Sequence, residues 1–385
     1  MIKQATRDLM ALLPIKAGPG QESPVVDFLR AELAAMGVPT ANMVLDTAHE
    51  QSEYGGDIGN LIVTIDGNRD ASHLMFSTHM DTVPLAVGCK PRLAGPRIIN
   101  DAIGRALGGD NRCGCAILLT LARRLLAQKG DHAPVTLVFF VQEEVGLIGA
   151  RGLDLSLLGA PAMCINLDGG AVNELVTAVT GTQRFTIDIA GIATHAGRPG
   201  GGVSAAVIMA RALAGLDADG WHGVIEKSGK TGSANVGIVK GGQGSNIVMP
   251  ELFVLAEARS HDPVFRQDIV SSWKQHFAAC ALEICNAQGQ HGSVSFGLGP
   301  GYESFALDDD EPVVLRAIAT AAACGFTLSP VSNDGGMDAN QIVAHGIPTV
   351  TVGVGQRLVH TPDEWIDLED FSKALQLILQ LGAPR

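Results

Sequence analysis

Residues 134–149, PVTLVFFVQEEVGLIG, contain the element from which the fold of this chain is inferred. The apolar and β-branched run Val135 to Val141 predicts one strand of a buried parallel sheet. That strand leads into two adjacent carboxylates, Glu143 and Glu144, before the chain turns at Gly146. In open α/β sheets, ligands bind outside the carboxyl ends of the strands, where these acids fall. A metal ion there would bind one acid and leave the other free as a base.

The segments on either side of this strand alternate strands with helices. Further strands are predicted at 60–66, 73–79 and 162–170, and helices at 2–13, 112–128 and near 148. Another helix is expected with Ser23 as its N-cap and Gly37 as its stop, and 88–110 is expected to be a loop. The order predicts a mixed, mostly parallel α/β sheet with helices on both faces.

The character of the sequence changes after Asp168. Period-two alternation and helical spacing then predict the order βαββαβ, with strands in RFTIDIAG, SANVGIVKGG, ELFVLAEARS and GSVSFGLG, and helices at 203–216 and 264–288. This order is that of a ferredoxin-like sandwich. We place it as an inserted domain, 179–303, between two parts of a catalytic domain, 1–178 and 304–385. The second part is expected to hold a helix at 311–324, a loop at 331–340, a strand at 347–355 and a helix from 368.

Composition excludes several classes of protein. With 385 residues, 46% hydrophobic and 17% charged, the chain has the composition of an ordinary globular protein. Its net charge of −13 argues against a nucleic-acid partner. No signal peptide and no apolar run of transmembrane length is seen, so a membrane partner is not expected. Seven scattered cysteines predict reduced thiols in a cytoplasmic protein.

Four other strand-end motifs carry groups that bind metals. His79 and Asp81 lie two residues apart, so a metal-bound His79 could donate from its second ring nitrogen to Asp81. Asp110, in GGDN, could equally be the N-cap of the following helix. Asp168 could equally be a turn residue before two glycines. His360 could equally be a loop histidine that has no functional role. Taken together, two histidines and three carboxylates form the set that a pair of zinc ions requires: His79, Asp110, Glu144, Asp168 and His360.

With these motifs the sequence resembles the dizinc exopeptidases of the aminoacylase-1/peptidase T family. The resemblance runs from the N-terminal helices to His360 and rests on STHMDTVP, GGDNRCGCA, FVQEEVGLIGA, INLDGG, GIATHAGRPG, GSNIVMPE, AEARSHD, NDGGMDAN and VHTPDEW. It implies two zinc ions per chain, with cobalt or manganese able to substitute. One ion would be bound by His79, Asp110 and Asp168. The other would be bound by Asp110, Glu144 and His360, so that Asp110 bridges the pair.

The resemblance also implies roles for residues outside the ligand set. Glu143 would be the general base, and Asp81 would orient His79. His195 would reach from one subunit into the active site of its partner and steady the oxyanion. Asn246 and Arg259 would hold the substrate backbone and a terminal carboxylate, for which arginine is suited as a bidentate clamp. The loop NDGGMDAN would line the substrate side of the zinc pair with Gly336, Asp338 and Asn340.

Two features depart from the family pattern. Most relatives have a second acid after the bridging aspartate, whereas this chain has Asn111. The peptide bond before that position is cis in the family. Cys113 and Cys115 form a C-x-C beside the expected site and suggest thiolate ligands as an alternative. That alternative is disfavoured because carboxylates and imidazoles already fill the ligand count.

The resemblance implies a zinc-dependent exopeptidase acting on small peptides. LDGG followed by NELV, and an aspartate at position 168, favour a tripeptide aminopeptidase. The alternative is an amidohydrolase, deacylase or carboxypeptidase of the same architecture acting on N-acyl amino acids. The protein is expected to be a homodimer joined through the inserted domain. A non-catalytic relative using that domain as an interaction module is disfavoured because neither the ligands nor Glu143 are lost.

Overall fold

The computed structural model describes residues 1–383, which form two compact units. The first unit contains Met1–Ala178 and the chain from Ala306 onward, and the second unit is Val179–Phe305. The helices are α1 (Ile2–Leu12), α2 (Ser23–Ala35), α3 (Gly109–Ala127), α4 (Ile148–Arg151), α5 (Ala205–Ala218), α6 (Pro263–Glu283), α7 (Pro312–Ala323), α8 (Asp338–Ala344) and α9 (Leu368–Gly382).

The strands follow the same chain order. They are β1 (Met43–Leu45), β2 (Leu61–Ile65), β3 (Leu74–His79), β4 (Pro91–Ala94), β5 (Arg97–Asn100), β6 (Val135–Phe140), β7 (Met163–Leu167), β8 (Glu174–Val179), β9 (Gly181–Ala190), β10 (Gly223–Lys227), β11 (Lys230–Gly241), β12 (Glu251–Ser260), β13 (Ser293–Tyr302), β14 (Phe305–Ala306), β15 (Ser329–Asn333), β16 (Thr349–Val352), β17 (Gln356–Arg357) and β18 (Trp365–Asp367).

The first unit is built on a nine-stranded sheet whose order begins β1-β2-β6-β3-β7-β16-β8. Strand β3 pairs in parallel with β6 and β7, and β16 pairs in parallel with β7. The pairs β1–β2, β2–β6 and β16–β8 are antiparallel. The sheet is therefore mixed with a parallel centre, and the predicted fold class is confirmed.

Both faces of the central strands are buried. Every residue of β3 and β6 is inaccessible, because alternate side chains enter two different apolar clusters. Phe76 and Phe139 belong to the cluster shared with α1, α2, α3 and α9, while Met75 and Val138 belong to the one shared with α4 and α8. The close approach of α3 to β3 requires Gly114, since a Cβ there would lie 2.0 Å from the Thr78 hydroxyl. This packing places the start of α3 beside the end of β3.

The second unit is a five-stranded antiparallel sheet in the order β10-β11-β12-β9-β13. Its apolar cluster lies between the sheet and helices α5 and α6, and it includes the fully buried Trp273 packed edge-on against Phe185. Strands β9, β11, β12 and β13 have the order of the predicted ferredoxin-like sandwich. Strand β10, which was not predicted, extends the sheet beyond β11.

Several predicted boundaries are wrong, for identifiable reasons. The segment 88–110 is not a continuous loop, because β4 and β5 form a hairpin whose short strands have mostly accessible side chains and weak alternation. Likewise β15 and α8 take up much of the stretch predicted as a loop at 331–340. Helix α6 ends at Glu283 and not at 288, because the side-chain Oδ1 of Asn286 accepts the backbone amides of Gln288 and Gln290 in a turn. In α2 the N-cap is Glu22 and not Ser23.

None of the described helices combines the length and apolar character needed to span a bilayer. All seven cysteines are free thiols.

Candidate metal centre

The parallel centre of the first sheet brings the candidate groups to one edge. His79 is the last residue of β3, and Asp168 follows β7 directly. Glu143 and Glu144 follow β6, and the amide of Asp168 is fixed by the Val352 carbonyl at the end of β16. Parallel strands place their carboxyl ends at the same edge, so these side chains meet there.

Asp110 lies at the middle of the cluster. One of its oxygens is 3.1 Å from His79 Nε2, and the other is 3.2 Å from His360 Nε2. His360 Nε2 is also 3.0 Å from a Glu144 oxygen. Ligand atoms of His79, Asp110 and Glu144 all lie within 4.8 Å of one another, which suits a shared metal ion. The two carboxylate oxygens of Asp110 thus face different histidines, as a bridging ligand would.

Asp81 organises both the histidine and the pair of glutamates. One of its carboxylate oxygens is 3.3 Å from His79 Nδ1. The backbone amides of Glu143 and Glu144 donate to its two oxygens, each at 3.1 Å. The contact with the histidine is of the kind that an orienting residue would make, and the contacts with the two amides were not predicted.

Hydrogen bonds between the two histidines and Asp110 shift the pKa values of all three residues towards their charged forms. Burial by itself lowers the pKa of His79, but hydrogen bonds to Asp110 and Asp81 outweigh it and raise that pKa well above its usual value. Hydrogen bonds to Asp110 and Glu144 raise the pKa of His360 to about 10. Burial would raise the pKa of Asp110, yet hydrogen bonds from the two histidines lower it well below its usual value.

The remaining acids of the cluster are shifted in the opposite direction. Burial, and then the charges of neighbouring acids, raise the pKa of Asp168 to about 7 and that of Glu143 well above its usual value. Burial also raises the pKa values of Glu144 and Asp338. Neither carboxylate oxygen of Asp338 has a hydrogen-bond partner among residues 1–383, although both atoms are buried. Acidic groups therefore outnumber basic groups at this edge of the sheet, and their burial makes it costly to ionise them all.

This excess is the observation that tests whether metal ions fit. Two histidines stand against six carboxylates: Asp81, Asp110, Glu143, Glu144, Asp168 and Asp338. Buried carboxylates without partners are costly unless cations balance them. Imidazole and carboxylate are also the donors that zinc binds. The residues present therefore fit bound divalent cations.

The side chain of Asn111 makes three hydrogen bonds. Its Nδ2 donates to the Leu167 carbonyl at 2.6 Å, and its Oδ1 accepts from the Gly114 amide and from Gln356 Nε2. A carboxylate at this position could not donate to that carbonyl, which explains why an amide suits this chain. The Asp110–Asn111 peptide bond is cis, so the expectation drawn from the family is confirmed.

The cysteines of the C-x-C pair are not in a position to act as ligands. Both are fully buried, and the Cys115 thiol donates to the His79 carbonyl at 3.4 Å. Burial raises the pKa of Cys115 to about 11 and that of Cys113 well above its usual value. The group of possible ligand atoms found among the described residues contains His79, Asp110 and Glu144 but neither cysteine, so the thiolate alternative finds no support.

Sequence reasoning missed Glu364, a buried acid that supports the cluster. Its carboxylate accepts the amides of Leu107 and Gly108 at 2.8 Å and that of Asp110 at 3.2 Å. It lies four residues beyond His360, so it ties the segment of one candidate ligand to the segment of another. The acid is present in VHTPDEW, but nothing local in the sequence reveals a partner some 250 residues away.

In the second unit, two of the predicted residues lie together. The loop of His195 is joined to the segment of Asn246 by a bridge between His195 and Ile247 and by the Ala196 amide, which donates to the Asn246 carbonyl. The Gly197 amide donates to His195 Nδ1 at 3.0 Å. The neutral ring therefore carries its proton on Nε2.

The other predicted substrate residues are divided between the units. Arg259, on β12 of the second unit, donates to Glu257 at 2.8 Å. In the first unit, Gly336 lies in the loop before α8, and Asp338 and Asn340 are buried in its first turn. Asn340 Oδ1 accepts the Met337 amide and so fixes the start of the helix.

Comparison with known proteins decides the family. The model described as peptidase family M20/M25/M40 matches residues 75–382. The chain belongs to this family. A solved aminopeptidase PepT from Bacillus cereus is similar to this M20 peptidase at 30% identity, with a TM-score of 0.84 and coverage of 99% and 98% of the two chains. A solved tripeptidase from Staphylococcus aureus is similar at 28% sequence identity, with a TM-score of 0.88. The match covers 99% of this chain and 97% of the tripeptidase chain.

A third relative covers the chain equally well. It is the uncharacterised protein YqjE of Bacillus subtilis, 29% identical over 98% of this chain and 97% of its own. The expected family is thus confirmed, and this M20 peptidase is a peptide hydrolase of the peptidase T type.

Proposed function

We propose that this M20 peptidase uses two zinc ions to remove the N-terminal residue of tripeptides. The observation that carries the proposal is the convergence of His79, Asp110, Glu144 and His360, next to the partly exposed Glu143. Asp168 would complete the ligand set. The aminopeptidase and the tripeptidase that this chain resembles support the choice of substrate.

The charge of the site supports a substrate with a free amine. Histidines that bind metal do so as neutral imidazoles. Six carboxylates then outweigh two divalent cations, so the site stays net negative. An α-ammonium group is attracted to such a site, whereas an acylated substrate with only a carboxylate is not. We assign this attraction to Asp338, whose buried carboxylate oxygens have no hydrogen-bond partner in the described part of the chain.

In the proposed reaction, Glu143 moves the proton. When bound, the zinc ions would supply Lewis-acid chemistry that makes a water molecule more acidic and polarises the scissile carbonyl. Glu143 accepts the proton of the attacking water and passes it to the leaving amine. Its backbone is fixed by Asp81, so the carboxylate is held ready for both transfers.

His195 is suited to stabilise the oxyanion. Its Nδ1 accepts an amide bond inside its own loop, which leaves the proton on Nε2 to be donated outward. We propose that His195 of one subunit serves the site of its partner in a homodimer formed through the second unit. We also place the enzyme in the cytoplasm, where its seven free thiols remain reduced.

A comparison of substrates tests the proposed function. A tripeptide with a free amine should be cut at its first peptide bond, with loss of the N-terminal residue seen by mass spectrometry. Its N-acetylated form should react about 10- to 100-fold more slowly, because the charged interaction is lost. Preferential cleavage of the N-acetylated form, or release of the C-terminal residue, would instead support the deacylase or carboxypeptidase alternative.

Mixed dimers test the position of His195. His195→Ala and Glu143→Gln chains should each be inactive alone, yet a mixed dimer has one site carrying both defects and one carrying neither. Random exchange of equal amounts should therefore restore about a quarter of wild-type activity. No recovery after subunit exchange has been verified by mass spectrometry would place His195 in its own chain's site or in none.

A further inference from the structure

The turn that carries Glu143 and Glu144 is also contacted by a second buried acid, Glu22. We have assigned no catalytic role to this residue. Glu22 is the N-cap residue of α2 and is 0% exposed. Its carboxylate does not cap its own helix. Instead, Oε1 accepts the Gln142 amide at 3.0 Å and the Gly20 amide at 2.9 Å.

Three successive amides of the turn thus end on two buried carboxylates. The Gln142 amide donates to Glu22, and the next two amides, of Glu143 and Glu144, donate to Asp81. Successive backbone amides that converge on anions form a rigid anion-binding turn. Asp81 accepts only the second and third of these amides. It therefore does not hold the first amide, that of Gln142, where the chain enters the turn.

The backbone at Gln142 needs such support. Its φ of 52° lies in the left-handed region, which a residue with a Cβ rarely adopts unless its surroundings hold it there. Its side chain is also tied down, donating to the Gly55 carbonyl and accepting from the Ser52 hydroxyl. Gln142 is therefore clamped by its amide to the start of α2 and by its side chain to the segment 52–55.

We propose that Glu22 is a positioning residue, whose carboxyl sets the direction in which the chain leaves β6 and so aims the side chains of Glu143 and Glu144. The proposal rests on the proposed function only in that Glu143 is taken as the base and Glu144 as a ligand. Displacing a catalytic group by about 1 Å can lower the rate about 100-fold, so the orientation of this turn is a sensitive quantity.

For holding the turn, the hydrogen-bond acceptor atom Oε1 of Glu22 matters more than the charge of its carboxyl group. Burial, and then the charge of Asp81, raise the pKa of Glu22 to about 8. In either protonation state Oε1 can accept both amides, and Oε2 is buried without a hydrogen-bond partner in the described chain. A glutamine has the same length and can present its amide oxygen to the same two N–H groups.

Two substitutions at this position and one elsewhere make the test. Glu22→Ala removes the acceptor, and Glu22→Gln keeps it. Asp8→Asn is the control, since Asp8 is another buried acid of the first unit and, among the described residues, accepts side-chain hydrogen bonds only from Gln4 and Arg123, which lie outside the turn. For the zinc-loaded enzyme we expect Glu22→Ala to lower kcat about 10- to 100-fold, with KM within about twofold.

In the same assay, Glu22→Gln should keep kcat within about threefold of the wild type, and Asp8→Asn should leave it unchanged. The conservative variant thus rescues the rate if the acceptor is what positions the turn. An alanine variant with normal kcat, or a glutamine variant as slow as alanine, would overturn the proposal.

Hydrogen exchange provides a readout that needs no substrate. Peptides covering 141–147 should exchange about tenfold faster in Glu22→Ala than in the wild type, because the Gln142 amide loses its acceptor. The same peptides should be unchanged in Asp8→Asn and nearly so in Glu22→Gln. If tripeptides are not the substrate, this result still stands. If exchange in Glu22→Ala matches the wild type, Glu22 does not hold the turn.

Discussion

Glu143→Gln is expected to lower kcat by about 10²–10⁴-fold while the protein keeps its full complement of zinc. Glutamine has nearly the same size, and the backbone amide of residue 143 still donates to Asp81. The amide side chain cannot accept a proton from water at neutral pH, so only proton transfer is removed. Steady-state kinetics on a tripeptide and metal analysis of the same sample provide the measurement.

The neighbouring acid supplies the sharpest contrast. Glu144→Gln should lose zinc as well as activity, because Glu144 lies 3.0 Å from His360 Nε2 within the proposed ligand set. Glu174→Gln, an exposed acid at the start of β8, should change neither property. A Glu143→Gln enzyme with near-normal turnover would require another base.

Removal of metal should abolish activity completely and reversibly. The purified enzyme should contain about two zinc ions per chain, and a chelator should remove both together with all turnover. Added zinc should restore activity, with cobalt or manganese also effective. Chelation should also lower the thermal midpoint, because the ions bind only the folded site and hold its crowded carboxylates together. Full activity in a sample shown to be free of metal would exclude this mechanism.

Replacing individual ligands distinguishes two ions from one. Asp110→Asn should reduce the content towards zero, because its two oxygens face His79 and His360 and would serve both ions. Asp168→Asn should lose about one ion and keep the other. Equal losses in both variants would show that Asp110 does not bridge.

Much of the site was predictable because its residues stand at the ends of strands that are easy to recognise. Long apolar runs predict β3, β6 and β7, and parallel pairing then obliges His79, Glu143 and Asp168 to meet at one edge. Resemblance to a family added what spacing alone leaves open, such as the bridging role expected of Asp110 and the cis bond that follows it.

What could not be predicted depends on contacts between distant backbone atoms. Glu22 and Glu364 belong to no hydrophobic pattern that would reveal their roles. Each accepts amides from a segment 120 or more residues away, and local sequence does not show such a contact. Asn111 was visible as a departure from the family, but its reason was not. That reason is the Leu167 carbonyl, a hydrogen-bond acceptor that only the folded chain brings to it.

The order of the ligands along the chain has a consequence for biosynthesis. Asp168 precedes His360 by 192 positions, and the whole second unit is encoded between them. At roughly 5–20 residues per second, a ribosome needs about 10–40 s to cross that interval. During this time the nascent chain carries most of its carboxylates without the second histidine, and α9 does not yet cover α3. A newly made chain would therefore complete the proposed ligand set only after the second unit and His360 have been synthesised.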